Sequence, residues 1–253
     1  MQKLGQHFLK SKSALKSIVE SGNIKPSDFI LEIGPGKGVL TEELLLSGVK
    51  VLGIEKDSNL MPILEEKFDK YIKSEKLTLE NSDVLKLDTS KLPKNYKLIA
   101  NIPYYITGEI LRKFIGGKDK PSLAVLLVQK EVADRIVAKD GKESLLSISI
   151  KAFGEPKIIK KIPKGAFNPP PKVDSAILLI EKIGGEKLKG IPEEVFFKIL
   201  HIGFAHKRKK LSSNLKNGVG TKVDSLFEKL NLDKNVRAED LKLETWIDIT
   251  KNI

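Results

Sequence analysis

Short apolar runs and longer amphipathic segments alternate along the first part of the chain. An apolar run that ends at glycine or a polar residue indicates a buried parallel strand, and apolar positions three and four apart indicate a helix. The pattern predicts strands at 28–33, 50–54, 77–80, 97–100 and 123–128. It predicts helices at 12–20, 39–46, 60–72, 109–115, 132–137 and 145–153. Because strands and helices alternate, we expect an α/β fold with a doubly wound, Rossmann-like parallel sheet.

The second part of the chain changes character. Two late strands, at 157–162 and 176–180, are expected to form an antiparallel pair at the edge of the sheet. The glycine-rich and lysine-rich segment 184–190 is typical of a linker. Beyond it the apolar spacing predicts short helices at 193–204, 207–215, 223–230, 238–241 and 245–249. We therefore expect a catalytic domain at 1–184 and a small all-α domain at 191–253.

Composition adds information about the partner and the compartment. The 253 residues include 45 Lys and Arg against 33 Asp and Glu, a net charge of +12. This balance favours a polyanionic partner such as nucleic acid, the alternative being a solvated Lys/Glu surface. No signal peptide opens the chain and no apolar run is long enough to span a bilayer, so we expect a cytoplasmic protein away from membranes. Without cysteine and with three scattered histidines, a metal site is not expected.

Three features after successive predicted strands indicate a nucleoside ligand. The segment 31–38, Leu-Glu-Ile-Gly-Pro-Gly-Lys-Gly, lets the backbone approach a ligand closely, but Val39 stands where the dinucleotide fingerprint requires glycine or alanine. A ligand without a pyrophosphate, such as S-adenosylmethionine (SAM), fits better than a dinucleotide, and a tight turn without a ligand is the alternative. Glu55 ends the second strand and suits ribose hydroxyls. Asp83 follows the third strand and suits an adenine amino group, unless it only caps a loop.

The segment Asn101-Ile102-Pro103-Tyr104-Tyr105 follows the fourth strand. An amide oxygen, a carbonyl before a stiff proline and a flat aromatic ring together suit a planar base with an exocyclic amino group. The amide oxygen of Asn101 and the carbonyl of Ile102 could accept from that amino group, and Tyr104 could stack on the ring. The segment therefore predicts a pocket for a target base.

These motifs together resemble the SAM-dependent N6-adenine methyltransferases. Two further segments narrow the resemblance: Gly5-Gln6-His7-Phe8-Leu9, and the segment 167–175, Phe-Asn-Pro-Pro-Pro-Lys-Val-Asp-Ser. Both are similar to signatures of the ribosomal RNA adenine dimethyltransferase family, and the full form of the second is typical of its small-subunit branch. The resemblance covers nearly the whole chain.

The resemblance implies a role for individual residues. The positions that contact SAM in the family are occupied here by His7, Leu9, Gly34, Glu55, Asp83 and Asn101. The target-base site corresponds to Asn101 and Tyr104, with Phe167 as the aromatic ring on the other face of the base. Because many relatives have asparagine in place of His7, a backbone contact to SAM is expected at that position. The product would be S-adenosylhomocysteine, and no metal is required.

The resemblance also implies a substrate. It indicates dimethylation of N6 on two adjacent adenosines near the 3′ end of small-subunit (16S) rRNA, by a monomer that visits the assembling small ribosomal subunit. The basic run 206–210 is predicted to open a helix. Lys207, Arg208, Lys209 and Lys210 in this run are candidate phosphate contacts, the alternative being a solvated face. Because Asn168 and three prolines follow it, Phe167 is expected in a loop and not in a packed element, the alternative being a plain core position.

Three other functions stay open on the sequence. The antibiotic-resistance branch of the family, which methylates large-subunit rRNA, shares the first motifs. A non-catalytic RNA-binding assembly or transcription factor could keep the same fold, although intact Gly34, Glu55, Asn101 and Tyr104 argue against it. An NAD-dependent oxidoreductase is more distant, because Val39 departs from the dinucleotide fingerprint and no hydride-transfer site is evident.

Overall fold

A computed structural model describes residues 7–220 and 222–253. Part of the predicted N-terminal motif, Gly5-Gln6, therefore lies outside the described residues. The strands within the described residues are β1 Phe8–Leu9, β2 Phe29–Ile33, β3 Lys50–Glu55, β4 Leu77–Asn81, β5 Lys97–Asn101, β6 Leu123–Gln129, β7 Glu155–Ile162, β8 Phe167–Asn168 and β9 Ser175–Glu181. The α-helices are α1 Lys12–Ser21, α2 Val39–Leu46, α3 Met61–Lys73, α4 Thr107–Phe114, α5 Lys130–Val137, α6 Leu145–Lys151, α7 Glu193–Gly203, α8 Leu211–Val219, α9 Val223–Lys229 and α10 Leu243–Lys251.

The main sheet has the predicted parallel core. Its strand order is β4-β3-β2-β5-β6-β9-β7, with β2 to β6 parallel to one another and β9 antiparallel to both of its neighbours, β6 and β7. The late antiparallel pair at the edge is thus confirmed. The strand order reverses between β2 and β5, which is where ligands bind in open α/β sheets. A separate two-stranded ladder joins β1 to β8, with Leu9 opposite Phe167.

Two compact units divide the described chain. The first comprises the described part of Met1–Ala133 together with Glu155–Ile183, and the second comprises Asp134–Gly154 and Gly184–Ile253. The chain enters the second unit for the second time at Gly184, close to the domain boundary predicted at 184–191. Residues 134–154, assigned from the sequence to the first domain, group with the helical unit instead. Their helix α6 packs against α7, and the Phe153 ring stacks on Phe197 with centroids 5.7 Å apart.

The second unit is built on a buried tryptophan. Trp246 in α10 is fully buried and stacks on Phe204 with ring centroids 5.3 Å apart. Gly203, at the end of α7, makes this approach possible, since a Cβ there would lie 2.2 Å from the Trp246 ring. The predicted helix at 238–241 is a single 3-10 turn, Ala238–Asp240. The segment predicted as a linker also carries a 3-10 turn, Glu186–Leu188, whose Leu188 is buried.

The predicted helix over 207–215 begins later than expected. The basic run lies in the turn between α7 and α8, and α8 starts only at Leu211. Asn214, which is buried in α8, donates hydrogen bonds from Nδ2 to the carbonyls of Gly203 (2.7 Å) and His206 (3.1 Å). These bonds satisfy carbonyls at the end of α7 and hold the chain in a turn, so the run cannot continue as helix. Among the described residues, no helix is long and apolar enough to cross a membrane.

One partly buried lysine ties the first unit together. The Lys97 ammonium, at the start of β5, donates to the carbonyls of Gly22 (3.0 Å) and Asn23 (2.6 Å) and to the Asp28 carboxylate (2.6 Å). It therefore joins the end of α1, the turn that follows and the central sheet. Burial alone would raise the pKa of Asp28, but the hydrogen bonds from Lys97 and from the backbone of Lys25 outweigh it and lower that pKa.

Replacing this lysine should be costly. We expect Lys97→Met to lower the free energy of unfolding at pH 7 by about 2–4 kcal/mol, because it removes the donor to two carbonyls and leaves the Asp28 carboxylate with only the backbone N–H of Lys25. The exposed pair of Lys73 and Asp69 (2.8 Å) offers a control, and Lys73→Met should cost only about 0.5 kcal/mol. Urea unfolding of both variants measures the difference.

The pH dependence gives this prediction a second readout. Since the folded pKa of Asp28 is depressed, the stability that its charge contributes is present above its unfolded pKa, about 3.9, and is lost as pH falls through the folded value. The difference in unfolding free energy between the wild type and Lys97→Met should therefore become smaller below about pH 4. The stabilising role of Lys97 would be contradicted if Lys97→Met lost no more unfolding free energy than Lys73→Met. It would also be contradicted if the loss stayed the same at low pH.

Candidate active site

Three parallel strands place polar groups at one edge of the sheet. The chain leaves β2 at Gly34, β3 ends at Glu55, and β5 ends at Asn101. Since β2 lies between β3 and β5, the carboxyl ends of all three are neighbours. One pocket opens there, and its lining includes six of the predicted residues, namely His7, Leu9, Gly34, Glu55, Asn101 and Tyr104.

Glu55 organises the glycine loop. Its buried carboxylate accepts a hydrogen bond from the backbone N–H of Gly36 (2.9 Å) through Oε2 and from that of Asp57 (2.8 Å) through Oε1. A carboxylate has about four lone-pair positions, so two remain for a ligand in the pocket. Gly34 has a φ of +66°, and a Cβ built there would meet nothing within 4 Å. The backbone at Gly34 is therefore open to whatever occupies the pocket.

A second carboxyl group lines the same pocket. Glu32, next to the last residue of β2, is 1% exposed, and its Oε2 has no hydrogen-bond partner among the described residues. Burial raises the pKa of Glu32 to about 8; the nearby Thr41 hydroxyl opposes this rise and the charge of Glu55 adds to it. A buried carboxyl without a partner is costly unless it is protonated or a cation lies beside it. Without a partner the group is therefore neutral at pH 7, and a cation bound beside it would favour its carboxylate form.

Asp83 lies in an adjoining pocket that shares Gly34 and Glu55 with the first. Its Oδ2 accepts a hydrogen bond from the Lys56 ammonium (2.8 Å), and its Oδ1 accepts from the backbone N–H of Leu85 (3.0 Å). These two contacts hold the pKa of Asp83 below its usual range. Asp83 thus caps the 3-10 turn Val84–Lys86, as the alternative interpretation expected, and also faces a pocket.

The orientation of the Asn101 carboxamide is defined by His7, the residue before β1. Its Nδ2 donates to the backbone carbonyl of His7 at 3.3 Å. Because a carbonyl can only accept, the nitrogen of the carboxamide must point toward His7, which leaves Oδ1 for a different partner. The His7 ring in turn is held through its Nδ1, 2.8 Å from the carbonyl oxygen of Pro169. The acceptor oxygen of Asn101 is therefore set by His7, which lies just before β1 and contacts Pro169 just after β8.

Tyr104 begins a 3-10 turn, Tyr104–Ile106, and lines the pocket with its ring half-buried. The His7 ring lies nearly parallel to it, with centroids 6.2 Å apart and an angle of 26°. At its other end, the Tyr104 hydroxyl lies 2.5 Å from the Ser175 hydroxyl. The ring is therefore held at its hydroxyl end and leaves part of its surface exposed.

The position of Phe167 differs from the predicted loop and agrees with the alternative, a core position. The sequence suggested a loop, because Asn168 and three prolines follow it, but Phe167 is 1% exposed and belongs to strand β8. It pairs with Leu9 and joins the same hydrophobic cluster as Leu15 and Ile177. Its burial in the core means that its ring offers no open face in this conformation.

The four basic residues predicted to contact RNA belong to the second unit. Lys207, Arg208, Lys209 and Lys210 are all exposed in the turn before α8. Lys210 occupies the residue before the helix, and its ammonium donates to the Asn235 side chain (2.6 Å). The turn therefore presents a compact group of cationic side chains to solvent.

Comparison with known proteins identifies the family. The sequence matches the ribosomal RNA adenine dimethylase family over residues 1–253. The chain belongs to this family. A ribosomal RNA small subunit methyltransferase A from Dehalococcoides mccartyi is 44% identical over 249 residues, which are 96% of this chain and 84% of that protein. The family resemblance and the enzyme class predicted from the sequence are thereby confirmed.

Solved structures agree with this family assignment. A dimethyladenosine transferase from Plasmodium falciparum superposes with a TM-score of 0.83 at 28% identity, covering 96% of each chain. The 23S rRNA methyltransferase ErmE shares the fold, with a TM-score of 0.80 at 24% identity, over 97% of this chain and 98% of that one. The predicted Rossmann-like methyltransferase fold is confirmed.

Two observations test whether the pocket fits SAM, the methyl donor expected for this family. The unpartnered Glu32 carboxyl suits a positively charged ligand, and the open backbone at Gly34 provides space for close approach. Sequence reasoning did not select Glu32, although an acid within the apolar run Leu31-Glu32-Ile33 was a usable sign. It also did not select Lys56 or Ser175, because their partners Asp83 and Tyr104 are distant in sequence. The residues present fit a cationic nucleoside.

The Glu32 carboxyl gives a pH-dependent prediction. In the free protein this group is protonated below about pH 8, whereas a bound cation favours the carboxylate. Binding of SAM should therefore release a proton, and its affinity should rise between pH 6 and 8 and then level off. Calorimetry in buffers of different ionisation enthalpy measures both effects. Glu32→Gln should remove the pH dependence of SAM affinity. The prediction would be contradicted if the wild-type affinity did not change with pH, or if the affinity of Glu32→Gln still did.

Proposed function

We propose that this protein dimethylates N6 of two adjacent adenosines near the 3′ end of small-subunit rRNA, with SAM as methyl donor. Relatives from Dehalococcoides mccartyi that are 41–44% identical to this chain are named ribosomal RNA small subunit methyltransferase A, which supports this choice of rRNA. The proposal includes action as a monomer on the assembling small ribosomal subunit. The observation that carries it is the fixed Asn101 carboxamide at the end of β5, beside a pocket suited to a cationic nucleoside.

Each cofactor contact has a proposed residue. Glu55 accepts the two ribose hydroxyls with its remaining lone pairs, and Asp83 accepts from the adenine amino group. The backbone at Gly34, His7 and Leu9 lines the remainder of the donor, and Glu32 balances its positive charge. When bound, SAM supplies a methyl group on a sulfonium, which is a strong electrophile.

The target amino nitrogen is a weak nucleophile because its lone pair is delocalised into the adenine ring. Two acceptors aimed at its hydrogens, Asn101 Oδ1 and the Ile102 carbonyl, favour a more tetrahedral nitrogen with an available lone pair. Fixed dipoles of this kind stabilise charge as it develops in the transition state. Alignment of the two reactants adds to this, and well-oriented reactants gain on the order of 7–11 kcal/mol. No side chain is assigned as a general base.

The base must leave its stack to reach this pocket. Tyr104 provides a face on which it can stack, a contact worth roughly 1–3 kcal/mol per base. A second face from Phe167 would require that ring to leave the core, so the proposed sandwich depends on a rearrangement of β8. A monomethylated nitrogen keeps one hydrogen, which either acceptor can still bind in the second round.

The exposed basic turn of the second unit is the proposed phosphate-binding surface. Lys207, Arg208, Lys209 and Lys210 carry four positive charges on consecutive residues. Such contacts hold RNA without reading its sequence, so they are expected to contribute affinity more than specificity.

Labelled methyl transfer tests the proposal directly. The protein is incubated with labelled SAM and with small or large ribosomal subunits from cells that lack the modification, and the product is mapped. Two dimethylated adenosines near the 3′ end of the small-subunit rRNA are expected. Label in large-subunit rRNA would favour the resistance-type activity, and SAM binding without transfer to either subunit would favour a non-catalytic assembly factor. Either result would overturn the proposal.

Removal of the Asn101 side chain should separate chemistry from binding. We expect Asn101→Ala to lower kcat by at least roughly a hundredfold, the range seen when one fixed donor or acceptor is lost, with RNA affinity changed less than about threefold. Asn252→Ala is the control and should change neither kcat nor RNA affinity, because it removes only an exposed carboxamide that donates to the Asp248 carbonyl at the end of α10. If RNA affinity collapsed while turnover of bound substrate stayed normal, the assigned role would be wrong.

The basic turn should determine the salt dependence of RNA binding. Replacing Lys207, Arg208 and Lys209 together by Gln should reduce the slope of log affinity against log salt by about 2–3, since each phosphate contact contributes roughly 0.7–0.9. A control with the same charge change replaces the exposed Lys222, Lys229 and Lys234 of the same unit. An equal loss of slope in both triple variants would show that only net charge matters and not this turn.

A further inference from the structure

The hydroxyl pair of Tyr104 and Ser175 connects the pocket to the interior of the sheet. We propose that Ser175 is a positioning residue, which fixes the Tyr104 ring in the orientation needed to stack on the target base. This inference rests on the proposed function, because it concerns the same base-binding site. It assigns a task to the last residue of the segment 167–175, whose role in the reaction the motif alone does not explain.

Ser175 is a rigid anchor. It is 0% exposed and begins β9, which is paired on both sides. Its backbone lies opposite Gln129 of β6 on one side and Ile162 of β7 on the other. A residue held between two strands cannot shift to follow a moving ring. Whatever its hydroxyl binds is therefore held in a fixed position relative to the sheet.

Tyr104 needs such an anchor. It lies on a 3-10 turn at the mouth of the pocket, not on a strand, and only part of its ring is covered. Burial raises the pKa of its hydroxyl, which the hydrogen bond with Ser175 only partly opposes, so the phenol stays neutral at physiological pH. A covered tyrosine hydroxyl requires a partner, and at 2.5 Å the Ser175 hydroxyl provides one.

The other neighbour of the ring holds it less firmly. The His7 ring lies 6.2 Å from the Tyr104 ring between centroids, with no hydrogen bond between the two. Stacking at this distance restrains the tilt of the ring but does not fix its position along the plane. The hydroxyl contact with Ser175 supplies that missing constraint. Loss of the hydroxyl should therefore let the ring rotate within the pocket while the strand and the donor site stay intact.

Two substitutions of the same shape isolate the hydroxyl. Ser175→Thr and Ser175→Val add the same bulk at a fully buried position, so any packing strain is common to both, and only threonine retains a hydroxyl. We expect Ser175→Thr to keep most of the wild-type kcat on unmodified small subunits, and Ser175→Val to lose roughly tenfold relative to it. KM for the subunit and the affinity for SAM should be the same in both, because phosphate contacts and the donor site are untouched. Thermal unfolding of both variants checks that they fold.

The Tyr104→Phe background completes the test. Without the phenol oxygen there is nothing for residue 175 to position, so threonine and valine should then give equal kcat values. Equal kcat values of the two variants in the wild-type background would overturn the inference, and so would a difference that persists with Tyr104→Phe or that appears only in SAM affinity. Failure of the proposed function is distinguishable, because the unsubstituted protein would then transfer no methyl group to small subunits.

Discussion

The candidate site depends on the parallel arrangement of β2, β3 and β5. Their carboxyl ends meet at one edge because the strands are neighbours and run in the same direction. Strand order reverses between β2 and β5, so no helix connection closes the space between Gly34 and Asn101. The donor pocket and the amino-group acceptor therefore adjoin as a consequence of topology. The loops need only supply the side chains.

A second constraint comes from outside the main sheet. The short ladder of β1 and β8 places the His7 carbonyl against Asn101, and that contact decides which end of the carboxamide faces away from β1. An asparagine at the end of a strand would otherwise be free to rotate by 180° about its last bond, with donor and acceptor exchanged. The N-terminal segment thus contributes to the chemistry of a residue 94 positions away in sequence.

Sequence patterns predicted the features that depend on burial. The inner strands β3, β5 and β6 were visible because both of their faces are covered, which makes them largely apolar. The six pocket residues followed from motifs at the ends of those strands and from the family resemblance. Phe167 was misplaced because three prolines after it indicated a loop, whereas pairing with Leu9 over a long separation in sequence holds it in the core. Contacts between distant residues leave no local pattern, and Ser175, Lys56 and the Asn214 bonds that shape the basic turn were missed for this reason.

The central claim is that the His7 carbonyl, just before β1, fixes the Asn101 carboxamide so that its oxygen accepts from the target amino group. A crystal structure of the protein with S-adenosylhomocysteine and an adenosine-containing RNA tests it most directly. The expected result is Nδ2 of Asn101 bonded to the His7 carbonyl, with Oδ1 within about 2.7–3.2 Å of the adenine amino nitrogen. A carboxamide that has turned away from His7, or a target base seated at a different place with Asn101 out of contact, would contradict it.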